Sequence, residues 1–173
     1  MLLKGKQVLL RPIVMGDLDR LLNWFNDPEV TRNLNTYLPM HEEGEREWIR
    51  SQKDRRQTDM VLAIVLPEQN RHIGTIGLGG IHARDQRAML GIAIGDKEYQ
   101  GKGYGTEAIQ LFTTYAFNQM NLRRIELFVI ASNKRARRCY EKCGFVKEGI
   151  LKKRMFRDGK WEDELFMALT RPL

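Results

Sequence analysis

The stretch Asp96-Lys97-Glu98-Tyr99-Gln100-Gly101-Lys102-Gly103-Tyr104-Gly105-Thr106-Glu107-Ala108 joins an apolar run, Ala88 to Ile94, to a helical pattern. That helix is expected over Tyr104 to Asn118, burying Ala108, Leu111, Phe112, Tyr115 and Ala116. Three glycines alternate through the loop, at 101, 103 and 105. Glycine lets a backbone adopt unusual angles and approach a ligand closely. The first N–H groups of the following helix lack partners within it, and the helix dipole is positive there. The loop can therefore offer several amide donors to an anion such as a pyrophosphate. Taken alone, the same pattern serves a strand–helix connection that merely needs flexible angles. Spacing excludes two phosphate motifs. Gly-x-x-x-x-Gly-Lys-Ser/Thr is absent. The glycines read Gly-x-Gly-x-Gly, and they come too late in the chain for a dinucleotide fingerprint.

Outward from this loop, the pattern predicts a mixed α/β chain. Upstream, Val61–Leu66, Ile73–Ile81 and Ala88–Ile94 read as an antiparallel meander with a turn at 83–86. Before them lie a short strand, Gln7–Arg11, and a helix with Asp17 at its N-cap, Leu18, Leu21, Leu22 and Phe25 on one face, and Pro28 as its stop. Residues 31–40 read as irregular, and a second helix runs from Glu42 to about Arg55. Downstream come a strand, Arg124–Ala131, and a helix, Asn133–Lys142, ended by Gly144. Val146–Arg157 and Trp161–Leu169 close the chain as a hairpin turning at Asp158-Gly159. The expectation is one domain, residues 1–173, of class α/β (α+β), around one central sheet.

Composition narrows the function classes. Apolar residues are 42% and charged residues 29%, which fits neither a disordered tail nor a membrane protein. No run approaches the ~18–20 apolar residues of a spanning helix, and MLLKGKQVLLRP lacks the features of a signal peptide. Cys139 and Cys143 make no disulfide scaffold, so a reduced, cytoplasmic protein is expected. The cysteines complete no ligand spacing with His41, His72 or His82, so they are read as packing and no metal is expected. Lys+Arg 29 against Asp+Glu 22 leaves +7. That balance favours an anionic partner: nucleic acid, a membrane surface or a phosphorylated small molecule.

A second segment bears on the choice. Asn133 ends a predicted strand, and Tyr140 follows two helical turns on, with the small Ala136 between them on the same face. A tyrosine there could hand its phenolic proton to a leaving group. On this segment alone, a core pair of Tyr140 with Phe145 is the plainer reading.

Together, Gln100-x-x-Gly103-x-Gly105 and Asn133-x-x-Ala136-x-x-x-Tyr140-x-x-x-Gly144-Phe145 resemble the GNAT N-acetyltransferase superfamily. The resemblance covers nearly the whole chain. Leu10-Arg11-Pro12, Gly16-Asp17-Leu18, Asn26 to Val30, Ile73 to Ile81, and Lys147 to Met167 look like its RimJ/RimL-type branch. The C-terminal third looks equally like spermidine N-acetyltransferases. The resemblance implies a mostly antiparallel mixed sheet in which two parallel strands, Ala88–Gly95 and Arg124–Ala131, splay around acetyl-CoA as co-substrate. It implies that Ile92, Ala93 and Ile94 pair with the pantetheine through their backbone. Gln100, Gly101, Lys102, Gly103, Tyr104, Gly105 and Thr106 would hold the pyrophosphate. Asn133 would bond the pantetheine, and Arg138 would lie near a phosphate. Tyr140 would protonate the leaving thiolate.

The general base stays open among Glu126, His82 and water. A structural ion pair is the plainer reading of Glu126, and an ordinary strand-end histidine that of His82. The acceptor is an amine-bearing substrate: a protein N-terminus, a small-molecule amine, a polyamine, or an amino sugar or antibiotic. Polyamines rank second, because residues 33–40 carry no carboxylate and +7 repels a polycation. A non-catalytic nucleic-acid binder, resting on Lys134–Arg138, Lys152–Arg154 and Arg55-Arg56, is the rival from another class. No membrane partner is expected, and the protein is read as a monomer or homodimer.

Overall fold

The continuous apolar run Met60–Leu66 is buried on both sides, and the other elements assemble about it. A computed structural model describes residues 2–55 and 57–171. In chain order the elements are β1 (Leu3–Lys4), β2 (Leu9–Pro12), α1 (Leu18–Phe25), α2 (Pro28–Thr31), α3 (Glu42–Ser51), β3 (Met60–Leu66), β4 (Arg71–His82), β5 (Arg87–Ile94), α4 (Tyr104–Gln119), β6 (Arg124–Ile130), α5 (Lys134–Lys142), β7 (Val146–Arg157) and β8 (Lys160–Thr170). The strands form one sheet in the order β1-β2-β3-β4-β5-β6-β8-β7. All neighbours are antiparallel except β5 and β6, which run parallel. The mixed, mostly antiparallel sheet with flanking helices is the architecture expected above.

Side-chain alternation divides the sheet into two faces. On one, α4 packs Ala108, Ile109, Phe112 and Ala116 against apolar side chains of the strands: Ile64, Ile76, Leu90, Leu127 and Met167. Each such large side chain contributes roughly 1.5–3 kcal/mol on burial. On the other, α1 and α3 cover β2 and β3 through Leu21, Ile49, Ala63 and Val65.

Several local expectations need correction. Asp17 does not cap α1 through its side chain. It ends a 3-10 turn, Met15–Asp17, and its buried carboxylate accepts two 2.7 Å hydrogen bonds from Arg11 and one of 2.9 Å from Val14 N. Pro28 does not stop α1, which ends at Phe25. It opens α2, at the position where its missing N–H costs nothing, behind Asp27, whose carboxylate accepts from Glu29 N. α3 stops at Ser51, short of Arg55: Ser51 Oγ and Gln52 Nε2 both turn back onto the Trp48 carbonyl. Of the basic pair 55–56, Arg56 lies outside the described residues.

Candidate active site

β5 and β6 pair at Arg87–Arg124, Ala88–Ile125 and Met89–Glu126, and then part. β5 continues to Ile94 and β6 to Ile130 without pairing across the space between them. At about 3.3 Å per residue, the opening runs roughly 16 Å along β5. Alternate residues of a strand turn N–H and C=O to each side. Part of the Leu90–Ile94 backbone therefore faces the opening without a ladder partner, which is a place for an extended ligand to pair. Ile92 and Ile94 point to the α4 side, since a Cβ on Gly105 would lie 3.8 Å from each.

The glycine loop closes the far end. Lys97–Tyr99 form a 3-10 turn capped by Asp96, and Gln100 Nε2 donates to Ile94 O at 2.8 Å, fastening the loop to the end of β5. Gly101 and Gly103 take φ of +76° and +90°, and a Cβ on either would meet nothing. Both angles lie in the left-handed region that glycine alone adopts freely. Gly103 precedes α4, whose N-terminus has no side-chain cap. The one acidic residue of its first turn, Glu107, looks away: its carboxylate accepts from Gln7 N at 2.8 Å and Val8 N at 3.3 Å. The amides of Tyr104, Gly105 and Thr106 are thus left for an anion, and the cradle fits a pyrophosphate. Lys102 stands at its mouth, 5.4 Å over the Tyr99 ring.

α5 lies against the first turn of α4, with Thr106 Oγ1 3.2 Å from Cys139 Sγ. Asn133 caps α5: its Oδ1 accepts from Ala136 N at 3.1 Å. Tyr140 is buried in the core shared with Leu127 and Val129, edge-on to Phe145 at 5.9 Å. The pairing of Tyr140 with Phe145 in the core is thus present. Burial, reinforced by the neighbouring Cys139 and Cys143, pushes the Tyr140 phenol well above its ordinary value, so it stays protonated. The two cysteines pack against the same core, and Cys143 pulls the Cys139 thiol down by hydrogen bonding to it. Arg138 is exposed on α5.

The two base candidates are not presented to the opening as free groups. Glu126 stands at the last paired position, 2.6 Å from Arg124 Nε and 3.8 Å from Arg87, a structural ion pair. His82 pairs with Arg87 at the opposite end of β5 from the loop, 3.2 Å from Asp85.

The face away from α4 carries residues to which sequence reasoning gave no part in the site, Arg154 having been read only within a basic cluster. Phe128, just past the last β5–β6 pair, packs at a tilt on Phe166 with ring centres 5.1 Å apart. The Arg154 guanidinium lies 4.4 Å above Phe128, with its Nε 3.2 Å from Oε2 of the buried Glu164. Burial raises the Glu164 carboxyl, and Arg154 and Arg157 pull it back. Gly91 forms an open floor, with nothing near where its Cβ would stand. The segment after α2 crosses to this side: Arg157 donates to Leu34 O at 2.5 Å and Arg32 lies 3.4 Å from Asp158. The sequence signals available were the basic run 152–154 and a carboxylate, Glu164, set beside the apolar run 165–169.

A mixed sheet whose parallel pair opens beside a glycine-loop helix N-terminus defines the fold of the GNAT acetyltransferases. A family model described as Acetyltransferase (GNAT) domain matches residues 7–146, and the chain belongs to this family. The probable N-acetyltransferase YjcK of Bacillus subtilis is 34% identical over 181 residues, covering 99% of this chain and 98% of its own. The crystal structure of spermidine N-acetyltransferase from Vibrio cholerae in complex with CoA and spermine superposes with a TM-score of 0.86 at 28% identity, covering 96% of each chain. Ribosomal-protein-S5-alanine acetyltransferase from Vibrio fischeri has a TM-score of 0.86 at 22% identity, covering 98% of this chain and 96% of its own, a likeness of fold alone. Among the described residues, no helix is long and apolar enough to cross a membrane.

Proposed function

We propose that the chain transfers the acetyl group of acetyl-CoA directly to a primary amine, on a protein N-terminus or a small molecule, in the cytoplasm. The observation that carries this is the opening between β5 and β6 with the uncapped α4 N-terminus at its far end. Acetyl-CoA supplies an activated acyl carbon on a thiol leaving group. The backbone of Ile92, Ala93 and Ile94 pairs with its pantetheine arm. The Gln100–Thr106 loop binds the pyrophosphate through amides, with Lys102 and Arg138 near the phosphates. Asn133 keeps its Nδ2 for the pantetheine, its Oδ1 being used in the cap.

In the reaction the amine nitrogen forms a bond to the thioester carbon and the carbon–sulfur bond breaks. A backbone N–H near Ile94 stabilises the oxyanion, and Tyr140 gives its proton to the departing sulfur. The proton lost by the amine passes to water. Much of the acceleration comes from holding amine and thioester in line. Isothermal calorimetry tests the reading: micromolar acetyl-CoA binding is expected, weakened by Lys102→Glu or Arg138→Glu. A panel of amines should release free CoA. No acetyl-CoA binding, together with salt-sensitive binding of a DNA duplex, would overturn it.

A second reading, polyamine acetylation, is favoured by the likeness to the Vibrio cholerae enzyme solved with spermine. Turnover of spermidine above all other amines in the panel would establish it.

A further inference from the structure

We propose that the acceptor carries an anionic group, a carboxylate or a phosphate, besides its amine, and that Arg154 binds it. This rests on the acetyltransferase reading above.

β7 is distorted where it carries this arginine. Leu151 stands opposite Glu164 and Met155 opposite Glu162, so Lys152, Lys153 and Arg154 together face Asp163. Lys153 takes φ +49°, a left-handed angle that costs a non-glycine residue roughly 1–2 kcal/mol. Asp163 pins the bulge, accepting from Lys153 N at 3.0 Å and Lys152 Nζ at 2.8 Å. Bulges of this kind re-aim a side chain, and here the side chain is Arg154, carried across β8 onto Phe128 of β6.

The guanidinium is held from below and open above. Its Cζ lies over the Phe128 ring, and its Nε faces Glu164, whose side chain is 6% exposed. The Arg154 side chain is 47% exposed, and among the described residues its two terminal nitrogens take no partner. A planar fork fixed at one edge with its terminal donors free matches a carboxylate or phosphate oxygen pair. The location is right for an acceptor. Phe128 lies on β6 just past its last pair with β5, on the opposite face from Leu127 and Val129, and Gly91 on β5 leaves open space where its Cβ would stand.

The surrounding charge agrees. Arg157 adds a second cation near Glu164. The carboxylates beside Phe128 are already paired, Glu164 with Arg154 and Glu126 with Arg124. Arg32 and Leu34 reach this side, and residues 32–41 contain no acid. A polycation would find cations and no free carboxylate among these residues.

The test is a release assay for free CoA with matched acceptors: an α-amino acid against its carboxamide, glucosamine 6-phosphate against glucosamine, and spermidine. The anionic member of at least one pair should be preferred by about ten- to hundredfold in kcat/KM. The pair that shows it separates carboxylate from phosphate. Arg154→Gln should bring the ratio near one, the loss falling on the KM of the anionic member, and Arg154→Lys should restore part of it. Acetyl-CoA calorimetry on both variants reports that the co-substrate half is folded. Preference for spermidine or for the neutral members in the wild type, or a ratio that survives Arg154→Gln, would overturn the inference. If wild type binds acetyl-CoA and prefers spermidine, this inference fails alone. If wild type does not bind acetyl-CoA, the acetyltransferase reading fails and this one with it.

Discussion

The two faces of the sheet are built from different chemistry. On the α4 side, Ile109, Phe112 and Ala116 lie among Ile76, Leu90, Leu127 and Met167, an apolar core. What that side offers a ligand is mostly backbone: unpaired strand edge, glycine loop and helix amides. The opposite face has a smaller apolar cluster over β2 and β3. Beside it sits the buried Asp17–His72 pair with the half-buried Arg11, and beyond it the Phe128–Arg154–Glu164 group. A ligand shared by many enzymes can be held by main chain, which tolerates sequence change. An acceptor must be read by side chains, which is where one enzyme differs from the next.

The largest expected effect breaks the first side at its chemistry. Tyr140→Phe should lower turnover about 10²–10⁴-fold and leave acetyl-CoA affinity in calorimetry nearly unchanged. Unchanged turnover would remove the tyrosine from the proton path and leave it a core residue.

The second prediction tests whether the other face rests on charge. Burial alone would raise the Asp17 carboxyl, but Arg11, His72 and the Val14 N–H hold it well below the ordinary carboxylate range. His72 Nδ1 lies 2.9 Å from Asp17 Oδ1 and its ring is edge-on to Trp24 at 4.9 Å. Removing one member of a buried pair leaves the other uncompensated, so Asp17→Asn should cost about 3 kcal/mol in denaturant unfolding. The depressed folded value fixes the sign. The contribution is complete above the unfolded value, about pH 4, and fades as pH falls through the folded one. Wild type should therefore lose stability below about pH 4, and Asp17→Asn should lose less over that range. Equal acid slopes would show that other carboxylates carry the effect.

The third prediction returns to the loop. Gly103→Ala introduces no clash, because its Cβ would meet nothing, but it forces alanine to φ +90°. The strain is about 1–2 kcal/mol. Acetyl-CoA affinity should fall about tenfold while turnover at saturation is retained. A stability loss with unchanged affinity would make the glycine a connector only.

The same contrast explains what could be read from the residues alone. The loop and helix proposed for the co-substrate were legible as structure because their signals are local: glycines at 101, 103 and 105, and the 133–145 segment with its spacing of Asn, Ala, Tyr and Gly-Phe. Apart from the two-residue β1, which no pattern announces, the strands were legible to within a residue or two. The acceptor side was not. Arg154 reaches Phe128 only through a bulge and across β8, and nothing in the order of residues announces a register shift. Asp17 misled for a related reason. A residue placed to cap a helix was taken up by Arg11 from the preceding strand, a contact that depends on how the chain returns.

The smallest expected effect sharpens the boundary between the two modes at Asn133. Its Oδ1 caps α5, accepting from Ala136 N at 3.1 Å. Its Nδ2 is the atom proposed for the pantetheine. Asn133→Ala removes both functions, and loss of the cap alone costs about 1 kcal/mol of stability. Asn133→Ser restores a capping oxygen without the amide donor. If Asn133 also binds the co-substrate, the serine variant should recover the unfolding midpoint and still bind acetyl-CoA several-fold more weakly than wild type. If the residue is only a cap, stability and affinity should recover together. The serine variant is the informative one, because it keeps the helix and removes one hydrogen bond. A recovery in both would mean that the start of α5, like the start of α4, offers a ligand backbone geometry and not a side-chain amide.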